Sequence, residues 1–160
     1  MTIKPGDAIP EAKLMRHTAT GPQEVSTQEL FAGRTVVLFG VPGAFTPTCS
    51  AKHLPGYVAH AAALKAKGVD TVACIAVNDV FVMGAWAKSQ NADGKVTVLA
   101  DGNGDFAEAL GLSMDGSRFG MGKRAQRFSL LVRDGAVAQV NVEEPGQFKV
   151  SSAEHLLGQL

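Results

Sequence analysis

The chain has 160 residues, 46% of them hydrophobic, a size and composition that suit one domain, 1–160, built on a single substantial core. Fifteen Lys and Arg cancel fifteen Asp and Glu with no basic block, so charge-driven capture of nucleic acid or of an anionic membrane has no support, and small neutral partners fit better. No run of about 18 apolar residues is present to span a bilayer, and the opening MTIKPGDAIPEAKL lacks the apolar segment of a signal peptide, which makes a cytoplasmic location the expectation.

Along the chain, Ser26 to Ala32 carries the first helical pattern, with Ser26 and Glu29 spaced as a capping box. The apolar run TVVLFGV, 35 to 41, predicts a strand buried on both faces. A helix is expected from 49 to 67, stopped by Gly68 and kinked at Pro55, which has no backbone donor. VDTVACIAV, 69 to 77, predicts a second buried strand, 79 to 91 a helix entered from Asn78, and KVTVLA, 95 to 100, a third buried strand. A short helix at 104 to 110 precedes RFSLLVRDGAVAQVNV, 127 to 142, in which Asp134-Gly135 between alternating segments signals a hairpin. The last helix, 152 to 159, has Ser151 and Glu154 at capping-box spacing. Strands and helices alternate before a hairpin and a final helix, which predicts an α/β fold with a mixed central β-sheet flanked by helices, as in thioredoxin-like folds.

Chemistry concentrates in PGAFTPTC, 42 to 49. Loops that follow the C-terminal ends of strands in such sheets line crevices where ligands bind. Cys49 then falls in the first turn of the next helix, where unpaired N–H groups and the helix dipole favour an anion, here a thiolate. Free cysteine, with a pKa of about 8.5, is only slightly ionised at neutral pH, and helix N-termini and nearby cations lower the value to roughly 3.5 to 7.5. The other reading of an isolated cysteine is a small buried hydrophobe. Only two cysteines occur, Cys49 and Cys74, with no CxxC, which in a reducing compartment favours free thiols over a structural disulfide.

PGAFTPTCS followed by HLPGYV resembles the active-site segment of peroxiredoxins, in the branch that holds mammalian peroxiredoxin 5 and the plant type II proteins. VACIAVND, FVMGAWAKSQ, GMGKRAQRFSLLV and VNVEEPG fall in the order and spacing of that family, so the resemblance covers essentially the whole chain. Its specific element is Pro-x-x-x-Thr-x-x-Cys, present as Pro42, Thr46 and Cys49. The resemblance implies a thiol peroxidase that reduces hydrogen peroxide or alkyl hydroperoxides. The Cys49 thiolate would attack one peroxide oxygen and become a sulfenic acid while the other oxygen leaves as water or alcohol. Thr46 would orient the peroxide through its hydroxyl, its alternative being a helix cap. Pro42 would hold the loop and shield the sulfur from water, its alternative being a plain turn residue. Arg127 matches the family's active-site arginine and would supply the fixed cation, with the backbone N–H groups of Thr48 and Cys49 completing the donors. Arg118, Lys123 and Arg124 read as solvated loop charges. His53, four residues after Cys49, either tunes the thiolate or serves as a packed or capping histidine.

Reduction of the sulfenic acid is where the chain departs from mammalian peroxiredoxin 5, because PGQFKVSSAEHLL lacks that branch's C-terminal resolving cysteine. Cys74 lies mid-run in TVACIAV, about four residues below the strand end and on the order of 13 Å beneath the site, beyond the roughly 7 Å between alpha carbons that a disulfide tolerates. Although the plant type II proteins have a cysteine at a comparable spacing, Cys74 reads as a buried core residue, with a resolving role open to it only after local unfolding of the helix that carries Cys49. The favoured reading is a one-cysteine cycle with glutathione, a glutaredoxin or a thioredoxin as reductant, and the resemblance implies a homodimer, for which Trp86 and Phe81 are either core residues or contacts. No cofactor or metal is expected: DGNGDF has Phe106 and Leu112 where a calcium loop needs Gly and Glu, the four histidines are scattered, and no nucleotide-binding glycine motif occurs. The rival readings are a peroxide-sensing redox switch without turnover and a thiol-disulfide oxidoreductase, the latter weakened by the absent CxxC.

Overall fold

The computed structural model describes all 160 residues. The apolar runs become the middle of a seven-stranded sheet: β3 (Thr35–Gly40), β4 (Thr71–Ala76) and β5 (Thr97–Ala100) are parallel, and β8 (Phe128–Arg133) lies antiparallel to β3. β9 (Ala136–Val142) extends that side, while β1 (Lys13–Thr18) and β2 (Gly21–Ser26) close the other, giving the order β2-β1-β5-β4-β3-β8-β9. The period-2 alternation of side chains divides the core. Val37, Phe39, Cys74 and Leu131 pack on one face with Tyr57, Trp86 and Leu156, and Val36, Leu38, Ile75 and Leu130 pack on the other with Phe31 and Phe106. The first face is covered by α2 (Leu54–Ala66), α3 (Val80–Ser89) and α5 (Ala153–Leu157), and the second by α1 (Thr27–Phe31) and α4 (Asp105–Ala109). Each buried Leu or Phe of this kind contributes about 1.5 to 3 kcal/mol.

The predicted α/β fold with a mixed sheet is the one observed, and its three parallel strands are buried on both faces as expected. The hairpin forms where Asp134-Gly135 places it, with φ of 49° and 76° as a type I′ turn requires. Ser26 Oγ accepts the Glu29 N–H at 3.1 Å, capping α1. Two hairpins lay outside the sequence reading. β1 and β2 carry Lys, Arg, Gln and Glu, and only Leu14 of β1 is fully buried, so no apolar run marks them. The other is the small separate pair β6 (Ser113–Asp115) and β7 (Lys123–Ala125).

Two caps fall one residue later than predicted. Asp79, rather than Asn78, accepts the Val82 N–H to start α3, and Ser152, rather than Ser151, accepts the His155 N–H to start α5. Asn78 and Ser151 are diverted to the site described below. The helix predicted over 49 to 67 begins at Pro47, a favoured first position for proline, and its opening is wide. Cys49–His53 forms a π turn in which the Leu54 N–H reaches back to the Cys49 carbonyl, and Pro55 sits at the start of α2. The predicted kink is thus a π turn just before the proline, where the missing donor and the bulk of the ring disfavour a regular α turn.

Candidate active site

The segment 42 to 48 leaves the C-terminal end of β3 and is held from β4 and α3. Asn78 Oδ1 accepts the Ala44 N–H at 2.9 Å. Trp86 Nε1 donates to Ser50 Oγ at 2.9 Å and Gln90 Nε2 donates to the Ser50 carbonyl at 3.1 Å, which ties the π turn to α3. Trp86 is therefore a core residue, fully buried, whereas Phe81 is exposed. Phe45 has φ of 64°, a left-handed conformation that costs a non-glycine residue of order 1 kcal/mol or more and turns the loop sharply into the helix.

Cys49 is buried, and Arg127 Nη2 donates to its Sγ at 3.1 Å. Arg127 immediately precedes β8, so the antiparallel pairing of β3 with β8, Gly40 opposite Phe128, delivers the guanidinium to the loop. The guanidinium places a fixed positive charge and a rigid N–H donor against the sulfur. The N–H groups of Thr48 and Cys49 donate to no protein acceptor, as first-turn donors do. Thr46 Oγ1 donates to the Gly43 carbonyl at 2.7 Å, and its own carbonyl accepts the Ser50 N–H. Its hydroxyl hydrogen is therefore engaged within the loop, its oxygen stays free to accept, and no backbone N–H is capped by it. Pro42 is half-buried, and its carbonyl faces Arg124 Nη1 at 3.5 Å.

Arg124 corrects the sequence reading: it is half-buried beneath the loop and also donates from Nε to the Met121 carbonyl at 2.9 Å. Lys123 pairs with Glu108, and Arg118 stays exposed beside Phe119.

Behind Arg127 runs a chain of hydrogen bonds that the sequence did not reveal. Arg127 Nη1 donates to His53 Nδ1 at 2.9 Å, and His53 Nε2 donates to the Ser151 carbonyl at 3.0 Å, which also accepts from Tyr57 Oη at 2.8 Å. Nδ1 must accept here, since a guanidinium only donates, so the proton sits on Nε2. Burial and, next, the Arg127 charge depress the His53 pKa to about 3, keeping the imidazole neutral. Glu143 Oε2 accepts the Ser151 hydroxyl at 2.7 Å and the N–H groups of Lys149, Val150 and Ser151 at 2.8 Å. Burial works to raise the Glu143 carboxyl, but these hydrogen bonds outweigh it and hold the group below its ordinary value. In the sequence Ser151 reads as a helix cap and Glu143 only as part of VNVEEPG, and neither signal points to His53.

Cys74 is fully buried opposite Phe39 of β3, and burial pushes its thiol well up. It lies two residues from the end of β4, not four, so at about 3.3 Å per residue its depth along the strand is about 7 Å rather than 13 Å. Neither cysteine is in a disulfide. No helix is long and apolar enough to cross a membrane.

The Redoxin family model matches residues 4–157. The chain is 50% identical to peroxiredoxin-2C of Oryza sativa subsp. japonica over 153 residues, covering 95% of this chain and 94% of that one. It is 46% identical to peroxiredoxin-2B of Arabidopsis thaliana over 156 residues, covering 97% and 96%. Reduced Prx3 of Vibrio vulnificus, solved in complex with H2O2, superposes with a TM-score of 0.95 at 50% identity, with 99% of each chain covered. With a thioredoxin-like sheet and a cysteine at the mouth of β3, the chain belongs to the Redoxin family. Within it, the relatives place the chain in the plant type II branch of peroxiredoxins, thiol-dependent peroxidases that detoxify peroxides.

Proposed function

We propose that this peroxiredoxin reduces hydrogen peroxide and alkyl hydroperoxides at Cys49, with Arg127, Thr46 and Pro42 as its other site residues. The observation that carries the reading is the Arg127 guanidinium donating to the buried Cys49 sulfur at 3.1 Å. The thiolate attacks the nearer oxygen of R–O–O–H, the O–O bond breaks, and the sulfur is oxidised to a sulfenic acid. The departing oxygen takes a proton and leaves as ROH, or as water from hydrogen peroxide. Negative charge moves from sulfur to the leaving oxygen, and the guanidinium fork and the open N–H groups of Thr48 and Cys49 are the donors assigned to stabilise it. Thr46 Oγ accepts the hydroperoxide hydrogen and so orients the O–O bond in line with sulfur. Pro42 walls the site from bulk water and protects the sulfenic acid.

The return to thiol uses an external reductant, glutathione, a glutaredoxin or a thioredoxin. A first thiol condenses with the sulfenic acid, releasing water and leaving a mixed disulfide, and a second thiol exchanges with that disulfide to free Cys49. The burial and raised thiol of Cys74 support this one-cysteine cycle. A homodimer is the proposed assembly, for which the exposed rings of Phe45, Phe81 and Phe119 offer apolar contact. A cytoplasmic setting suits turnover that needs reduced thiols.

Stopped-flow mixing of the reduced protein with hydrogen peroxide tests the reading. Oxidation far faster than that of a free cysteine thiolate is expected, absent in Cys49→Ser, and steady-state consumption with each reductant in turn identifies the partner. Undiminished hydroperoxide removal by Cys49→Ser would overturn it.

A further inference from the structure

We infer that His53 is a positioning residue for the peroxidatic step: its neutral imidazole fixes Arg127 on Cys49, and it is itself fixed through Ser151 by the Glu143 carboxylate. The inference rests on the peroxidase reading and adds to it a part of the site that touches neither sulfur nor peroxide.

Four observations carry it. First, one guanidinium serves two acceptors, Nη2 donating to Cys49 Sγ at 3.1 Å and Nη1 to His53 Nδ1 at 2.9 Å. The fork is planar and rigid, so holding one nitrogen sets the direction of the other. Second, His53 is completely buried among the rings of Phe39, Tyr57 and Phe148. An imidazole there is tolerated only with both nitrogens satisfied, and the sole partner of Nδ1 is Arg127. Third, the tautomer that leaves a lone pair on Nδ1 is dictated by the Ser151 carbonyl on Nε2. Fourth, that carbonyl belongs to a residue whose N–H and Oγ–H both end on Glu143 Oε2, at 2.8 and 2.7 Å, while the Glu143 N–H donates to the Arg127 carbonyl at 3.0 Å. The circuit therefore closes on Arg127 from its side chain and its backbone alike. A histidine kept only for packing would leave Nδ1 without this partner.

The test compares His53→Leu, which removes the acceptor, with His53→Asn, whose amide oxygen falls near the Nδ1 position and restores it. Two readouts apply: the second-order rate of oxidation by hydrogen peroxide, followed by fluorescence of the single tryptophan, Trp86, and the pH midpoint of thiolate absorbance at 240 nm. By analogy with the loss of one preorganised donor, His53→Leu is expected to slow oxidation by roughly 10- to 100-fold and to move the thiolate midpoint upward. His53→Asn is expected to recover most of both, and the KM for the reductant should be unmoved. Glu143→Gln, with the Ser151 contacts weakened, should shift both readouts the same way by less, and it decides the matter if His53→Leu does not fold. A folded His53→Leu, or in its absence a folded Glu143→Gln, with wild-type rate and midpoint overturns the inference, as does a folded His53→Asn no better than His53→Leu. A wild-type protein indifferent to hydrogen peroxide would instead remove the peroxidase reading, and the absorbance titration would still decide the role of His53.

Discussion

The Asn78 side chain, one residue short of the helix it was expected to cap, accepts the Ala44 N–H at 2.9 Å and so pins the cysteine loop to the end of β4. Asn78→Ala leaves that partly buried donor without a partner, at an expected cost of about 1 to 3 kcal/mol. Urea unfolding should show the lower midpoint, and peroxide oxidation should slow as the loop loosens. Asn78→Asp keeps an oxygen acceptor and should lie close to wild type in both measurements.

Arg127 cannot be exchanged for the other long cation. Lysine carries one compact ammonium and cannot donate in a fixed fork to Cys49 and His53 together. Arg127→Lys is expected to lower the rate constant for peroxide oxidation by roughly 100-fold, the scale of losing one preorganised donor. Stopped-flow fluorescence measures it, and a loss of less than a few fold would mean that charge alone suffices.

Gly40 lies opposite Phe128 across the β3–β8 pair, and a methyl group there would collide with the Phe128 ring. Gly40→Ala should therefore destabilise the fold by about 1 to 3 kcal/mol through overpacking. Because Phe128 adjoins Arg127, the same change should also slow peroxide oxidation. A variant as stable and as fast as wild type would show that the ring moves aside at no expense.

Acid should weaken the fold through His53. Its pKa is about 3 in the folded protein against an ordinary 6.5 once unfolded, so between those values the unfolded chain binds the extra proton. The contribution is whole above about pH 6.5 and declines as the pH falls toward 3, by at most about 1.4 kcal/mol per unit. Glu143, held below its ordinary 4.5, adds to the loss below that pH. Urea midpoints measured from pH 7.5 to 4 should fall, with a shallower slope in His53→Asn.

Cys74→Ala removes one buried sulfur and should cost about 1 kcal/mol of stability. Turnover with an external thiol should persist. Loss of turnover with the first oxidation intact would instead make Cys74 the resolving thiol.

The central strands were legible because β3, β4 and β5 are buried on both faces and so read as unbroken apolar runs. β1 and β2 were not, since an edge hairpin with one buried leucine carries more charge than periodicity. At the site, PGAFTPTC placed Cys49 correctly in the first helical turn. What stayed hidden was long-range: Arg124 under the loop, and Glu143 reaching His53 through a backbone carbonyl. Contacts made to main-chain atoms leave little trace in side-chain identity. For the same reason Ser151 passed for a helix cap, its spacing to Glu154 being right while its hydroxyl serves Glu143.

The pairing of β3 with β8 joins segments roughly ninety residues apart, and the support for Arg127 comes from Ser151, close to the C-terminus. During synthesis the nascent polypeptide therefore carries its sulfur long before it has the cation that donates to it and the carbonyl behind that cation. Until the last strand and helix emerge from the ribosome, the contacts of Arg127 with Cys49 and of His53 with Ser151 cannot form, so the site is assembled only after its C-terminal half has been made.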